Sequence, residues 1–178
     1  MDFSFREAVS GDAAELARLI ALSVRELQVG DYSAAEREGA LAQVYGVDSR
    51  LIEDRTYFVV EASAGEMVAC GGWSKRRTLF GGDGAADRED TWLDPETEAA
   101  KIRAFFVHPA WARRGLGSSL LTLCEERARA AGFRRFELGA TVTGEKLYGQ
   151  RGYMAVERLA VPLGEGEALL VIRMVKEE

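Results

Sequence analysis

The stretch Ile102-Arg103-Ala104-Phe105-Phe106-Val107-His108-Pro109-Ala110-Trp111-Ala112-Arg113-Arg114-Gly115-Leu116-Gly117-Ser118-Ser119-Leu120 decides how the rest of the chain is read. An apolar run over 102–107 has strand composition and stops at a proline. A short basic loop follows, and Leu116, Leu120, Leu121 and Cys124 then recur at helical spacing over 115–131, up to Gly132. The first N–H groups of a helix lack intrahelical partners and carry the positive end of the helix dipole. With Arg113 and Arg114 beside them they form a site for an anion, and glycine at 115 and 117 lets an extended phosphate approach the backbone where a Cβ would collide. Arg113, Arg114, Gly115, Gly117 and Ser118 are therefore candidate anion ligands. The same pattern also occurs at plain helix starts with no ligand. There is no G-x-x-x-x-G-K-[ST], so a P-loop is excluded, and Gly115-Leu116-Gly117 lacks the third glycine of the dinucleotide fingerprint.

Toward the N-terminus, residues 3–9 alternate as a strand, and Asp12 followed by Glu15 reads as a capping box for a helix that aligns Leu16, Leu19, Ile20, Ser23 and Leu27. Ser33-Ala34-Ala35-Glu36 opens a second helix that Gly46 stops. Residues 56–62 and 67–73 form a hairpin with Ser63-Ala64-Gly65-Glu66 as its turn. After the central stretch come a strand at 134–140, a helix at 144–151 closed by Gly152, and two strands near 153–159 and 168–175 joined by a Pro162/Gly164/Gly166 turn. Residues 76–99 break this rhythm, with seven acidic residues and one arginine between Asp83 and Glu98. So long a loop is either a lid over a site or a floppy insertion, and the floppy insertion is the expectation.

At 178 residues and 19.5 kDa the chain is expected to form one domain over 1–178, large enough to bury a core. A net charge of −6 and a pI near 5.1 argue against a general nucleic-acid binder. No apolar run approaches the about 18 residues of a membrane span. The N-terminus lacks the basic start and apolar block of an export signal, so no membrane association and a cytoplasmic location are expected. Cys70 and Cys124 are too few for a disulfide framework or a cysteine zinc site and read as small buried hydrophobes, with no metal expected.

Val107, Pro109, Gly115 and Gly117 stand in the register V-x-P-x-x-[RQ]-x-x-G-x-[GA], and Leu147-Tyr148-Gly149-Gln150-Arg151-Gly152-Tyr153 looks like L-Y-x-x-x-G-[FY]. With the element order, these two motifs make the chain resemble the GNAT superfamily of N-acetyltransferases. It departs from that pattern at Ala112, where Arg or Gln is usual, at Arg113, where glycine commonly follows, and at Thr141, where Asn is frequent. The resemblance implies an α/β fold, a single-domain mixed, twisted sheet flanked by helices. It implies acetyl-CoA as cosubstrate and transfer of the acetyl group to a primary amine of a small molecule by direct attack on the thioester. A protein or peptide amine, or a non-catalytic acyl-CoA-binding regulatory module, are the alternatives, and a homodimer is common in the resembled family.

The resemblance also implies that Phe106 and Val107 offer backbone groups to the pantetheine arm and a donor to the thioester carbonyl, with Tyr148 near the sulfur as general acid. Tyr32, Trp73 and Arg76 are expected to line the acceptor pocket, a solvated strand end being the bland explanation of the last two. Glu61 is a weak candidate for the base, a chain of waters an equal one. His108 reads as a loop residue.

Overall fold

The computed structural model of the chain describes residues 2–63 and 65–178; Ala64, which the sequence assigns to the first hairpin turn, lies outside them. Along the chain run β1 (Phe3–Glu7), α1 (Ala13–Leu27), α2 (Ala34–Gln43), α3 (Ser49–Glu53), β2 (Tyr57–Ala62), β3 (Met67–Ser74), β4 (Ala100–Val107), α4 (Leu116–Ala130), β5 (Arg135–Ala140), α5 (Val142–Gln150), β6 (Met154–Gly164) and β7 (Glu167–Glu177). The strands form one sheet in the order β1-β2-β3-β4-β5-β7-β6. Its neighbours are antiparallel except β4 and β5, which run parallel. This mixed sheet with helices on both faces is the expected fold.

Burial follows from the side-chain alternation of the strands. Phe58, Val60, Val68, Ile102, Phe136 and Leu138 join Leu116, Leu120, Leu121 and Cys124 of α4 in one core. On the other face Tyr57, Val59, Cys70 and Phe106 pack on Leu16, Leu19, Ile20 and Val24 of α1. A third cluster joins Tyr32 and Ala40 to Leu163, Leu169 and Val171 of the last hairpin.

Several local expectations are corrected. Asp12 does not cap α1 with its side chain; its Oδ2 accepts from the Val9 N–H at 2.8 Å and from Arg6, closing the preceding turn. The reciprocal box Ser33/Glu36 is formed, but α2 ends at Gln43, where the Val44 and Tyr45 N–H groups both close on the Ala40 carbonyl. The short helix α3 has weak sequence signals and exists because Asp48 accepts from the N–H groups of Arg50 and Leu51. Pro162 lies inside β6, which tolerates it as an edge strand, and the turn is made by Gly164, Glu165 and Gly166, all at positive φ.

The segment between β3 and β4 is not a floppy insertion. Asp83 accepts from the backbone of Ser49, Arg50 pairs with Asp90, Arg77 with Glu98, and Thr78 exchanges hydrogen bonds with the Glu89 backbone. Its anchor is a buried triad. The Asp48 carboxylate, fully buried, binds Arg103 of β4 at 2.7 Å and Arg88 of the segment at 3.1 Å, while the Gly81 carbonyl accepts from both guanidinium groups. Removing the carboxylate strands the buried Arg103 charge, and loss of one partner of such a pair costs about 3–5 kcal/mol. Asp48→Ala is therefore expected to lower the unfolding free energy by that order, read from urea titration. An unchanged midpoint would show that the triad adds nothing net.

Candidate active site

β4 and β5 pair only at Ala100↔Phe136 and Lys101↔Glu137, although β4 continues to Val107 and β5 to Ala140. Beyond Lys101 the two strands diverge and open a wedge in the middle of the sheet. The divergence begins where β4 bulges: its pairing with β3 shifts between Gly72↔Arg103 and Cys70↔Phe106, and Ala104 takes a left-handed φ of 57°. Tyr57 Oη, fully buried, donates to the freed Ala104 carbonyl at 3.2 Å and lies 3.3 Å from Cys70 Sγ. Gly71 completes the bulge, because a Cβ there would meet the Phe105 ring at 2.8 Å.

Adjacent amides of a strand point to opposite edges. The His108 N–H donates to Val68 of β3, so the Val107 N–H faces away from β3, where Ser23 Oγ of α1 receives it at 3.3 Å. Phe106 is placed differently from its expectation: its amide sits on the β3 side, opposite Cys70, and its ring packs in the α1 core. Of the two expected backbone donors, Val107 is the one turned to the wedge.

Tyr148 enters from the other side. Thr141, standing at the Asn position, caps α5 by accepting from the Gly144 N–H at 3.0 Å, so the departure preserves the helix start. Gly144 leaves room for the Tyr148 ring one turn later, since a Cβ would lie 3.2 Å from it. The ring stands edge-on to Phe105 across the wedge, with centroids 6.3 Å apart, and edge-on to Tyr153 at 5.9 Å. Its hydroxyl makes no hydrogen bond among the described residues, and burial raises its pKa above the usual phenol value. The proton therefore stays on Tyr148 throughout the ordinary pH range.

Near the end of β4 lies the loop into α4. Arg113 (φ 63°) and Gly115 (φ 82°) are both left-handed, and no side chain caps the helix start. Arg113 thus adopts the conformation that a glycine would supply at that position. The N–H groups of Leu116, Gly117 and Ser118, ahead of the first turn's closure by Ser119 N–H on the Gly115 carbonyl, are left pointing outward, an arrangement suited to an anion. Arg114 stacks on Trp111 at 4.7 Å, and Gly117 has a packing role as well, since a Cβ there would lie 3.1 Å from Leu147 of α5.

The three expected acceptor residues are not brought together. Tyr32 Oη donates to the Leu170 carbonyl and accepts from the Val142 N–H at the end of β5. Trp73 is 5% exposed and packs edge-on to Phe133 in the α4 core. Arg76 is clamped between Asp54, at 2.7 Å, and the face of Trp92. Glu61 pairs with Arg6 at the β1–β2 edge, two strands from the wedge, and His108 Nδ1 accepts from the Ala110 N–H. Tyr45, between α2 and α3, is not singled out by the sequence; its ring stands edge-on to Phe106 at 5.7 Å. Nothing in the pattern Val44-Tyr45-Gly46-Val47 distinguishes it from a loop aromatic.

Both cysteines are fully buried, and desolvation pushes the Cys70 thiol up to about 12 and the Cys124 thiol higher still. Because the thiolate is the nucleophile, neither is expected to react with iodoacetamide at pH 8 until the chain is unfolded. Mass spectrometry of native and denatured samples checks this, and native labelling of either residue contradicts it. Among the described residues no group of three His, Cys, Asp or Glu side chains could hold a metal, and no helix is long and apolar enough to cross a membrane.

Comparison with known proteins bears on this geometry. A family model described as the acetyltransferase (GNAT) family matches residues 21–153. No match is found among curated proteins. Among solved structures, a GCN5-related N-acetyltransferase from Rhodopseudomonas palustris aligns with a TM-score of 0.72 at 21% identity, covering 100% of this chain and 97% of that one. The PaiA N-acetyltransferase from Thermoplasma acidophilum, in complex with coenzyme A, gives 0.67 at 13% identity over 100% of both chains. YncA from Salmonella typhimurium, with its cofactor acetyl-CoA, gives 0.67 at 19% identity, covering 99% of this chain and 94% of that one.

Proposed function

Because the chain belongs to the acetyltransferase (GNAT) family, we propose that it transfers the acetyl group of acetyl-CoA to a primary amine of a small molecule, by direct attack of the amine on the thioester. The observation that carries this reading is the wedge itself: β4 and β5 part after two residue pairs, with Phe105 and Tyr148 facing each other across the gap. A helix start suited to phosphate lies near the end of β4. Two solved structures of the same fold, PaiA and YncA, hold coenzyme A or acetyl-CoA.

In this reading the N–H groups of Leu116, Gly117 and Ser118 hold the pyrophosphate, with Arg113 adding screened charge and Arg114 braced on Trp111. The Val107 N–H, exchanging its long bond to Ser23 Oγ, serves the pantetheine arm or the thioester carbonyl, where negative charge grows as the amine attacks. The N–C bond forms as the C–S bond breaks. Tyr148 holds a proton where the departing sulfur needs one, and the proton shed by the amine passes to water. With reference values near 10 for a phenol and 8.5 for a thiol, full transfer from Tyr148 is uphill by roughly 2 kcal/mol. Burial adds to that cost, so Tyr148 acts chiefly by hydrogen-bonding the developing thiolate.

A small acceptor is favoured by the cover on the far side of β5. There Phe80 of the β3–β4 segment lies against Gly139 of β5, whose Cβ it would meet at 3.0 Å. The test is release of free thiol from acetyl-CoA with tyramine, spermidine, L-glutamate or a lysine-containing peptide as acceptor. Stimulation by a small amine supports the proposal, and stimulation by the peptide alone reassigns the acceptor. Calorimetric binding of acetyl-CoA without stimulated turnover would make the chain a binding module.

A further inference from the structure

We infer that Tyr45 positions the acceptor: its hydroxyl, set over the far ends of β4 and β5, takes a hydrogen bond from the attacking amine of the small-molecule acceptor. The inference rests on the acetyl-transfer reading above and adds to it the group that receives the second substrate. Tyr45 packs against both the α1 core and the cluster of the last hairpin, so it spans the two halves of the sheet that the wedge separates. Its ring leans on Phe106, near the end of β4. Tyr32 belongs to that same hairpin cluster. Tyr32 Oη is fixed at 2.8 Å from the Val142 N–H, just past the end of β5, and Tyr148 reaches across the wedge to Phe105.

The hydroxyl of Tyr45 is buried and has no hydrogen-bond partner among the described residues. Phenylalanine would fill the same space without the desolvation cost of an unpaired hydroxyl, so packing alone does not account for the oxygen. Burial raises its pKa, so the phenol stays neutral and acts as an acceptor of an N–H, not as the base. The buried Asp48 is already engaged by Arg103, Arg88 and two backbone N–H groups. Tyr148 serves the sulfur from one side, and Tyr45 aligns the nitrogen from the other.

The experiment compares wild type, Tyr45→Phe and Tyr148→Phe by thiol release, using whichever of tyramine, spermidine and L-glutamate gives the highest wild-type turnover. Tyr45→Phe is expected to raise KM for that amine at least tenfold with kcat within threefold, and to leave the calorimetric affinity for acetyl-CoA unchanged. Tyr148→Phe is expected to show the reverse split, with kcat falling and KM for the amine steady. An unchanged amine KM in Tyr45→Phe, or a parallel loss of acetyl-CoA affinity, overturns the inference. If no small amine stimulates the wild type, the small-molecule acceptor reading fails first and the inference, which is stated for such an acceptor, falls with it. Circular dichroism of Tyr45→Phe verifies the fold, which loses no hydrogen bond in this substitution.

Discussion

Tyr148→Phe is expected to lower kcat by about ten- to a thousandfold, the range of a positioned general acid, while the affinity for acetyl-CoA stays the same. In the proposed reaction the hydroxyl serves the sulfur only as it departs, and an interaction made only in the transition state is lost from kcat and not from ground-state binding. The structure makes this substitution clean. The Tyr148 oxygen makes no hydrogen bond among the described residues, and ring contacts with Phe105 and Tyr153 hold the side chain. Phenylalanine keeps those contacts, so thermal stability should hardly change and a loss of turnover is chemical. Since burial raises the Tyr148 pKa above the usual value near 10, its proton is retained as pH rises through 9. The wild-type kcat should therefore show no decline from this group below about pH 10. Full activity of the variant, in a profile from pH 6 to 10, would assign Tyr148 to packing alone.

The second large effect is expected in the loop before α4. Gly115→Val should weaken acetyl-CoA binding by roughly ten- to a hundredfold, as one hydrogen bond to a charged group is worth about 1.5–3 kcal/mol and 1.4 kcal/mol is tenfold. A Cβ at Gly115 meets no atom within 4 Å, so it intrudes on open space at the helix start and not on the core. The φ of 82° also disfavours a β-branched residue, which pulls the loop out of its anion-binding shape. Arg113→Gly should behave in the opposite way. It relieves a left-handed arginine at φ 63°, worth about 1–2 kcal/mol, against the greater unfolded-state entropy of glycine, about 0.4–1 kcal/mol. The variant should be as stable as the wild type or slightly more so. Its affinity should fall by no more than about threefold at physiological salt, where an exposed charge is screened beyond about 8 Å. Calorimetry on both variants decides the matter, and a Gly115→Val variant that is folded and binds normally removes this loop from the coenzyme site.

Much of the fold was legible in short-range patterns. The proline, glycines and apolar spacing of 102–120 place a strand, a loop and a helix where β4 and α4 are found, and Ser33 with Glu36 marks the start of α2. The elements that escaped are those made by distant partners. α3 depends on Asp48, whose burial is set by Arg103, 55 positions further along the chain, and by Arg88. The segment from 76 to 99 has the composition of a solvated loop, yet Asp90 and Glu98 pair with Arg50 and Arg77, and Arg88 is buried against Asp48. Composition reports how many charges there are, not which of them meet.

The same division runs through the candidate site. Local sequence by itself determined which residue types stand at the start of α4 and that Leu147-Tyr148 precedes Gly152-Tyr153, because a glycine's backbone freedom and a helix's unpaired N–H groups are properties of a few consecutive residues. Only the tertiary structure decided that Val107, and not Phe106, turns its N–H away from β3, since a one-residue step reverses the direction of an amide and the bulge at Ala104 resets that count. It likewise placed the Trp73 ring in the core and tied Arg76 to Asp54, while resting the Tyr45 ring edge-on against Phe106. Which face a side chain occupies depends on strand register and on what packs from far along the chain, and neither is written in the residues beside it.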